Sequence, residues 1–352
     1  MSMILTMILV FALVLAAAAV TTRRVTQAGM QLFAEVQTTT SEGLSDEMKT
    51  YYDMTLIDEA EANLVHEQFG QKRPIPANGG LKIEFRKFAS LPKALTPLTE
   101  GVTPPGKSLS VSKIEATVSQ YGDFVTQSDV LEMTAIDNTI VEATKVLGRQ
   151  AGMTLDTIVR NVMQSGNNVT YCPKVAADGT VTPMTSRATL DDSCQLTVKV
   201  LQQVVAKLRA QNAPTINGKY VAIIHPYVAY DLMQDPDWKY PHQYAAPENI
   251  FNGEIGEIAG VRFMESSEAK IYADGVFGTL IFGDGAYGVT EVTGGGLQTI
   301  IKQKGSAGTA DPLDQRSSVG WKAMRTAEIL IPQYLVRVES KSAAFSATAT
   351  EN

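Results

Sequence analysis

The feature that most constrains this chain is a long apolar stripe. Between Asp129 and Gln164, apolar residues recur at Met133, Ile136, Ile140, Leu147, Ala151, Leu155, Ile158 and Val162, the spacing of one helical face. Asp129, with Glu132 three residues on, supplies a start signal. The pattern predicts one continuous helix over 129–164, a rod about 54 Å long at 1.5 Å per residue. That is several times the usual helix length. Such a rod must span the molecule as a spine, with the rest of the chain arranged along it.

The flanking segments read as attachments to that spine. From Ser45, Met48, Tyr52, Leu56, Ala60 and Leu64 follow i, i+4 spacing, a helix whose narrow apolar stripe requires a partner surface. LKIEFRKF (81–88) and LSVSKIEATVSQYG (109–122) alternate as strands do. Between them lies a loop of about 20 residues containing Pro92, Pro97, Pro104 and Pro105, a length that marks a functional extension. The expectation is a projecting two-stranded flap. Beyond Gly166 the pattern is mixed α/β: a helix near 193–211, a buried strand at 219–224, and a helix at 226–235 opened by Pro226. A short helical piece over 249–260 and strands at 261–266, 278–292 and 297–305 follow. The last element, 319–340, is β-rich, and Pro332 within it predicts an edge or a bulge.

Composition narrows the function classes. The chain has 352 residues and a formal net charge of −7. That balance disfavours a general grip on nucleic acid, which needs clustered Lys and Arg. Cys172 and Cys194 form no C-x-x-C pair. They read as two reduced thiols of a cytoplasmic product, with a single bridge as the alternative. Residues 1–20 are almost wholly apolar and precede Arg23 and Arg24. The run is long enough to cross a bilayer and also resembles a signal peptide, with Ala16-Ala17-Ala18 as an A-x-A cleavage site; the other readings are an upstream start codon and a helix buried between subunits. No Lys or Arg precedes it, and nothing downstream looks secreted, which argues against a membrane or export role.

Chemical motifs are thin. Gly101-Val-Thr-Pro-Pro-Gly106-Lys107-Ser108 fits the phosphate-loop pattern letter for letter. Its context is wrong: Pro104 and Pro105 have no N–H to offer a phosphate, and a strand pattern follows instead of a helix. The residues read as turn glycines and a loop-tip charge. His66, His225 and His242 are scattered, and His66-Glu67 does not continue to H-E-x-x-H. His225, where a strand hands over to a helix, is expected to bind nearby backbone. There is no G-x-S-x-G serine motif, and Cys172 has no histidine near it in sequence. No catalytic, cofactor-binding or metal-ligating residue is assigned, and the chain is expected not to be an enzyme.

An arm, a flap, a spine, an inserted α/β region and a return to long strands suit a subunit of an extended assembly, where exposed extensions lie on adjacent copies. This order resembles the HK-97-type major capsid protein of tailed bacteriophages, an α+β fold. KRPIPANGGLKIEFRKF (72–88), residues 96–129, VAIIHPYVAYDL (221–232), GEIGEIAGVRFMES (253–266) and DPLDQRSSVGWK (311–322) are similar to the schitovirus-like, short-tailed branch. The resemblance spans roughly residues 30–345. It implies an N-arm at 21–80, an E-loop at 81–122, a P-domain with spine helix at 123–169, an A-domain at 170–295, P-domain strands at 296–345 and a tail at 346–352. Residues 1–20 are not part of the family pattern. It also implies that Pro92, Lys93, Pro97, Pro104, Pro105 and Lys107 sit at the E-loop tip and contact a neighbouring subunit. The implied partners are copies of the chain in hexameric and pentameric capsomers, with separate scaffolding and portal proteins and decoration proteins as a further option. The icosahedral shell would enclose double-stranded DNA without sequence-specific binding. The implied location is the virion, assembled in the host cytoplasm. Some relatives cross-link an E-loop lysine to a distant Asn; Lys93, Lys107 and Lys113 are donor candidates, but no partner is identified and no cross-link is expected. An encapsulin-like nanocompartment shell is the alternative, followed by a membrane-anchored protein.

Overall fold

The computed structural model describes residues 46–61, 64–76, 79–88, 91–98, 100–103, 106–135, 138–176, 178–238, 256–306 and 311–352. The chain opens with helix α1 (Asp46–Glu61) and a two-residue strand β1 (Gln71–Lys72). A hairpin follows, β2 (Lys82–Phe88) and β3 (Val111–Thr117), in antiparallel register from Lys82↔Thr117 to Phe88↔Val111. The single strand expected over 109–122 is two. Val118 is buried and donates its N–H to the Leu81 carbonyl, and β4 (Ser119–Ser128) then pairs with a different sheet.

The continuous helix expected over 129–164 is also divided, into α2 (Asp129–Thr134) and α3 (Thr139–Gln164). Ala135 is extended, and the Asn138 side chain caps a new start by accepting from the Val141 N–H at 3.4 Å. Gln127, at the end of β4, secures that start: its amide donates to the Thr139 carbonyl at 3.1 Å and its oxygen accepts from the Thr139 hydroxyl at 2.9 Å. The apolar period continues across the break but burial does not: no residue of α2 is buried, whereas Leu147, Ala151 and Leu155 of α3 are, and the Asn138 cap decides where the second helix starts. At 26 residues, α3 is about 39 Å long.

The remaining elements are β5 (Val169–Tyr171), β6 (Lys174–Val175), β7 (Val181–Thr182), α4 (Val198–Ala210), β8 (Tyr220–Ile224), α5 (Pro226–Gln234), β9 (Glu257–Ile258), β10 (Val261–Glu265), β11 (Ile271–Tyr272), β12 (Val276–Phe282), β13 (Tyr287–Glu291), β14 (Gln298–Lys302), β15 (Arg316–Ile329) and β16 (Leu335–Ser340). Within 249–260, residues 249–255 lie outside the described residues. The rest is β9 and a turn, not a helix: Ala259 and Gly260 both take positive φ and fold β9 back onto β10.

Among the described residues, two larger sheets organise the molecule. The first is centred on β15, which pairs with β4 along one side and with β14 and β13 in succession along the other; β1 joins β13 in parallel. The second runs β5-β16-β12-β8-β10-β9, with β11 also on β12. These sheets do not divide at residue 295. β13 belongs with β15, and β16 belongs with β12. Pro332 therefore marks neither an edge nor a bulge. It opens the 3-10 turn Pro332–Tyr334, where the chain leaves one sheet for the other.

Helix α3 joins the two. Its first half buries Leu147, Ala151 and Leu155 against Leu56 of α1 and Val319, Trp321 and Ala323 of β15. Its second half places Val159 and Met163 between β8 and β12 on one side and β13 and β15 on the other. The largest core lies beyond, where α4 and α5 cover the second sheet. All seven residues of β12 are buried, as a strand covered on both faces requires.

Candidate assembly interface

The β2–β3 hairpin is anchored at its root and bare at its tip. At the root, Phe85 and Ala116 are buried with Leu330. The Arg73 guanidinium lies over the Phe85 ring at 5.8 Å. Gly288 of β13 lets that ring approach, because a Cβ there would lie 2.9 Å from it. Cross-strand charge pairing, Lys113 to Glu84 at 3.2 Å, continues outward. Beyond the strands, Leu91, Leu95, Leu98, Val102 and Leu109 are all exposed, Leu95 by 82% and Leu98 by 78%. Apolar side chains exposed at such density make this tip a candidate interaction surface.

Of the residues expected at this tip, Pro92, Lys93, Pro97 and Lys107 are exposed. The structure brings two of them together: the Lys107 ammonium donates to the Pro92 carbonyl at 3.4 Å. Lys93 and Pro97 extend along the same loop. Pro104 and Pro105 lie outside the described residues. Gly101 has φ of +78°, a turn value, and residues 106–110 run directly into β3 without a helix. The phosphate-loop pattern thus lacks the helix N-terminus that would hold a phosphate.

Sequence reasoning missed a second exposed apolar surface. No residue of α2 is buried, and Val130 and Met133 are 59% and 70% exposed. Next to it on β4, Phe124 stands in solvent over Gly320 of β15, where a Cβ would come within 2.7 Å of its own. The available signal was the apolar pair Phe124-Val125, which puts an apolar side chain on each face of one strand.

The described histidines and cysteines are held in the interior. His225 accepts the Tyr227 N–H on Nδ1 at 3.2 Å, the expected backbone contact, and burial lowers its pKa to about 4. His66 is fully buried against Asp156 of α3, with Nδ1 2.6 Å from Oδ2 and the His66 N–H on Oδ1 at 2.7 Å. Cys172 and Cys194 are free and buried, and burial pushes both thiols up, away from a nucleophilic thiolate. Among the described residues, no group of three or more His, Cys, Asp and Glu is placed to hold a metal ion, and no helix is long and apolar enough to cross a membrane. Residues 1–20 and His242 lie outside the described residues.

Comparison with known proteins follows the same lines. A family model described as phage capsid protein matches residues 112–338, well over half of the chain. A search by sequence among curated proteins finds no match. The capsid of Ralstonia phage GP4 aligns with a TM-score of 0.60 at 14% identity, covering 88% of this chain and 96% of that one. The capsid of cyanophage P-SCSP1u gives 0.59 at 14% identity, with coverages of 88% and 94%. The capsid of cyanophage Pam1 gives 0.59 at 12% identity, with coverages of 88% and 99%. Sheet order, spine and family match agree: the chain belongs to the phage capsid protein family and has the HK-97-type capsid fold.

Proposed function

We propose that this chain is the major structural subunit of a tailed-phage head, assembling with copies of itself into hexameric and pentameric capsomers of an icosahedral shell around double-stranded DNA. The family match supports the capsid role. The observation that carries the mode of assembly is the row of exposed leucines on the hairpin tip. Burying them on an adjacent copy gains about 25 cal/mol for each Å² of apolar surface removed from water. The prolines reduce the conformational entropy lost when the tip docks. In this reading residues 81–122 form the E-loop, α3 stiffens the shell wall, and the sheet carrying β8, β12 and β16 faces the capsomer axis. The short-tailed affiliation, separate scaffolding and portal proteins, and assembly in the host cytoplasm belong to the same proposal, as does the absence of catalysis.

The test is velocity sedimentation with negative-stain microscopy on the full-length protein, expressed alone and then with its genomic neighbours. Closed particles or capsomer rings are expected in at least one case. A homogeneous monomer in both overturns the proposal.

A further inference from the structure

The two cysteines stand at one position of the second sheet. β5 runs parallel to β16 with Tyr171 opposite Glu339, so Cys172 falls opposite Ser340. Its N–H donates to the Glu339 carbonyl at 2.9 Å, as that register requires. The carbonyl that accepts the Lys341 N–H, however, belongs to Cys194, at 3.0 Å. Two residues that share one ladder position have Cα atoms roughly 4–7 Å apart, the range a disulfide spans. Their side chains also share a face. Val336 and Val338 alternate with Leu335 along β16 and enter the core under α4 and α5, and Cys172 and Cys194 are both buried in that core. A second contact ties the same two segments together. Lys174 Nζ lies 2.5 Å from Asp191 Oδ2, and Asp191 Oδ1 accepts from the Cys194 thiol at 3.4 Å. A charge on Cys194 would raise the Cys172 pKa further, as closeness of the two sulfurs requires.

We propose that Cys172 and Cys194 form a thiol–disulfide modification site, where a small linear disulfide oxidises the pair to an intrachain bond that fastens the β6–β7 segment to β16. Such oxidants act outside the reducing cytoplasm. Burial keeps both groups protonated in the closed fold. Exchange therefore begins when the turn at Asp191–Cys194, closed by the Cys194 N–H on the Asp191 carbonyl at 2.9 Å, lifts. Cys194 reacts first, because its sulfur touches a carboxylate whose side chain is 44% exposed. Its thiolate attacks one sulfur of the oxidant and expels a thiolate, leaving a mixed disulfide. The Cys172 thiolate then attacks Cys194 Sγ, forming the protein bond and expelling the second thiolate. The two protons end on the two departing thiols, and the oxidant takes up the two electrons. The bond closes residues 172–194 into a loop and so restricts the unfolded chain.

The test exposes the folded protein to oxidised glutathione, then alkylates the remaining thiols in denaturant for mass spectrometry. The expected product has no alkylated cysteine, a mass lower by two hydrogens, and a digest product joining Cys172 to Cys194. Two alkylated thiols, or glutathione retained on one sulfur, overturn the proposal. So does a bond that forms in urea but not in the folded protein, because the fold then does not hold the sulfurs within reach. Cys172→Ser and Cys194→Ser should each keep one thiol or carry one glutathione. As a second measurement, the oxidised protein should unfold at a urea concentration about 0.5–1 M higher, and dithiothreitol should reverse the shift. An unchanged midpoint sinks the fastening role.

Discussion

At the residue scale, His225 is the clearest case of a side chain whose ionisation the fold constrains. It closes the first turn of α5 through an acceptor nitrogen, with Pro226 in the first helical position and the Phe277 ring centroid 5.2 Å away. Protonation would remove the acceptor and bury a charge. Its folded-state pKa is lowered from 6.5 to about 4, so its contribution to stability is present above pH 6.5 and is lost as pH falls through about 4. At about 1.4 kcal/mol per pKa unit, the loss amounts to roughly 3 kcal/mol at most. Melting curves from pH 7 down to 4 should fall more steeply for the wild type than for His225→Asn, which keeps a cap acceptor but does not titrate. Parallel slopes would remove His225 as the responsible group. This cap was legible in the chain, because a histidine directly before a proline marks a helix entrance. The His66–Asp156 pair was not, since its partners stand 90 residues apart and only packing brings them together.

At the scale of elements, the docking of α1 on α3 depends on two glycines one helical turn apart. A Cβ on Gly148 would lie 2.8 Å from the Leu56 carbonyl oxygen, and one on Gly152 would lie 2.4 Å from that of Ala60. Without side chains there, the helix backbones approach closely and Leu56 and Ala60 become fully buried. Gly152→Val should destabilise the protein by about 1–3 kcal/mol in urea unfolding, with early proteolysis within α1. Gly106→Ala, in open space, is the matched control. Unchanged protection of α1 in Gly152→Val would show that the helix does not depend on this approach. The partner surface that the narrow stripe of α1 required is thus α3. The division of the spine helix was only half legible: Asn138 is a good cap residue, yet the uninterrupted apolar period argued for continuity.

At the scale of the whole molecule, the described residues place two larger sheets on either side of one helix, with the β2–β3 hairpin packed at its root against β13 and the end of β15. Substitutions on the loop of that hairpin should separate folding from assembly. Leu95→Asp with Leu98→Asp changes side chains that are 82% and 78% exposed, so monomer stability should shift by no more than about 0.5 kcal/mol at each site. Sedimentation should nevertheless show loss of capsomers and shells, because two charges would have to be buried at the contact. Normal particles from this variant would show that the leucines are not covered in the shell.

The residues alone determined the elements whose signals are local: the α3 stripe, the buried strand β8 with α5 behind it, the hairpin with its long proline-bearing loop, and the failure of the phosphate-loop pattern. Each follows from periodicity, capping or the missing proline N–H, which act over a few positions. Tertiary structure decided which strands share a sheet. It placed β13 with β15 and β16 with β12 across the boundary expected at residue 295, and it turned Pro332 into the crossing point. It also brought Cys172 and Cys194 to one ladder position and created the exposed face of α2 and Phe124. Those features depend on hydrogen-bond pairing and burial between residues far apart in the chain, and alternation along a strand does not encode its neighbour.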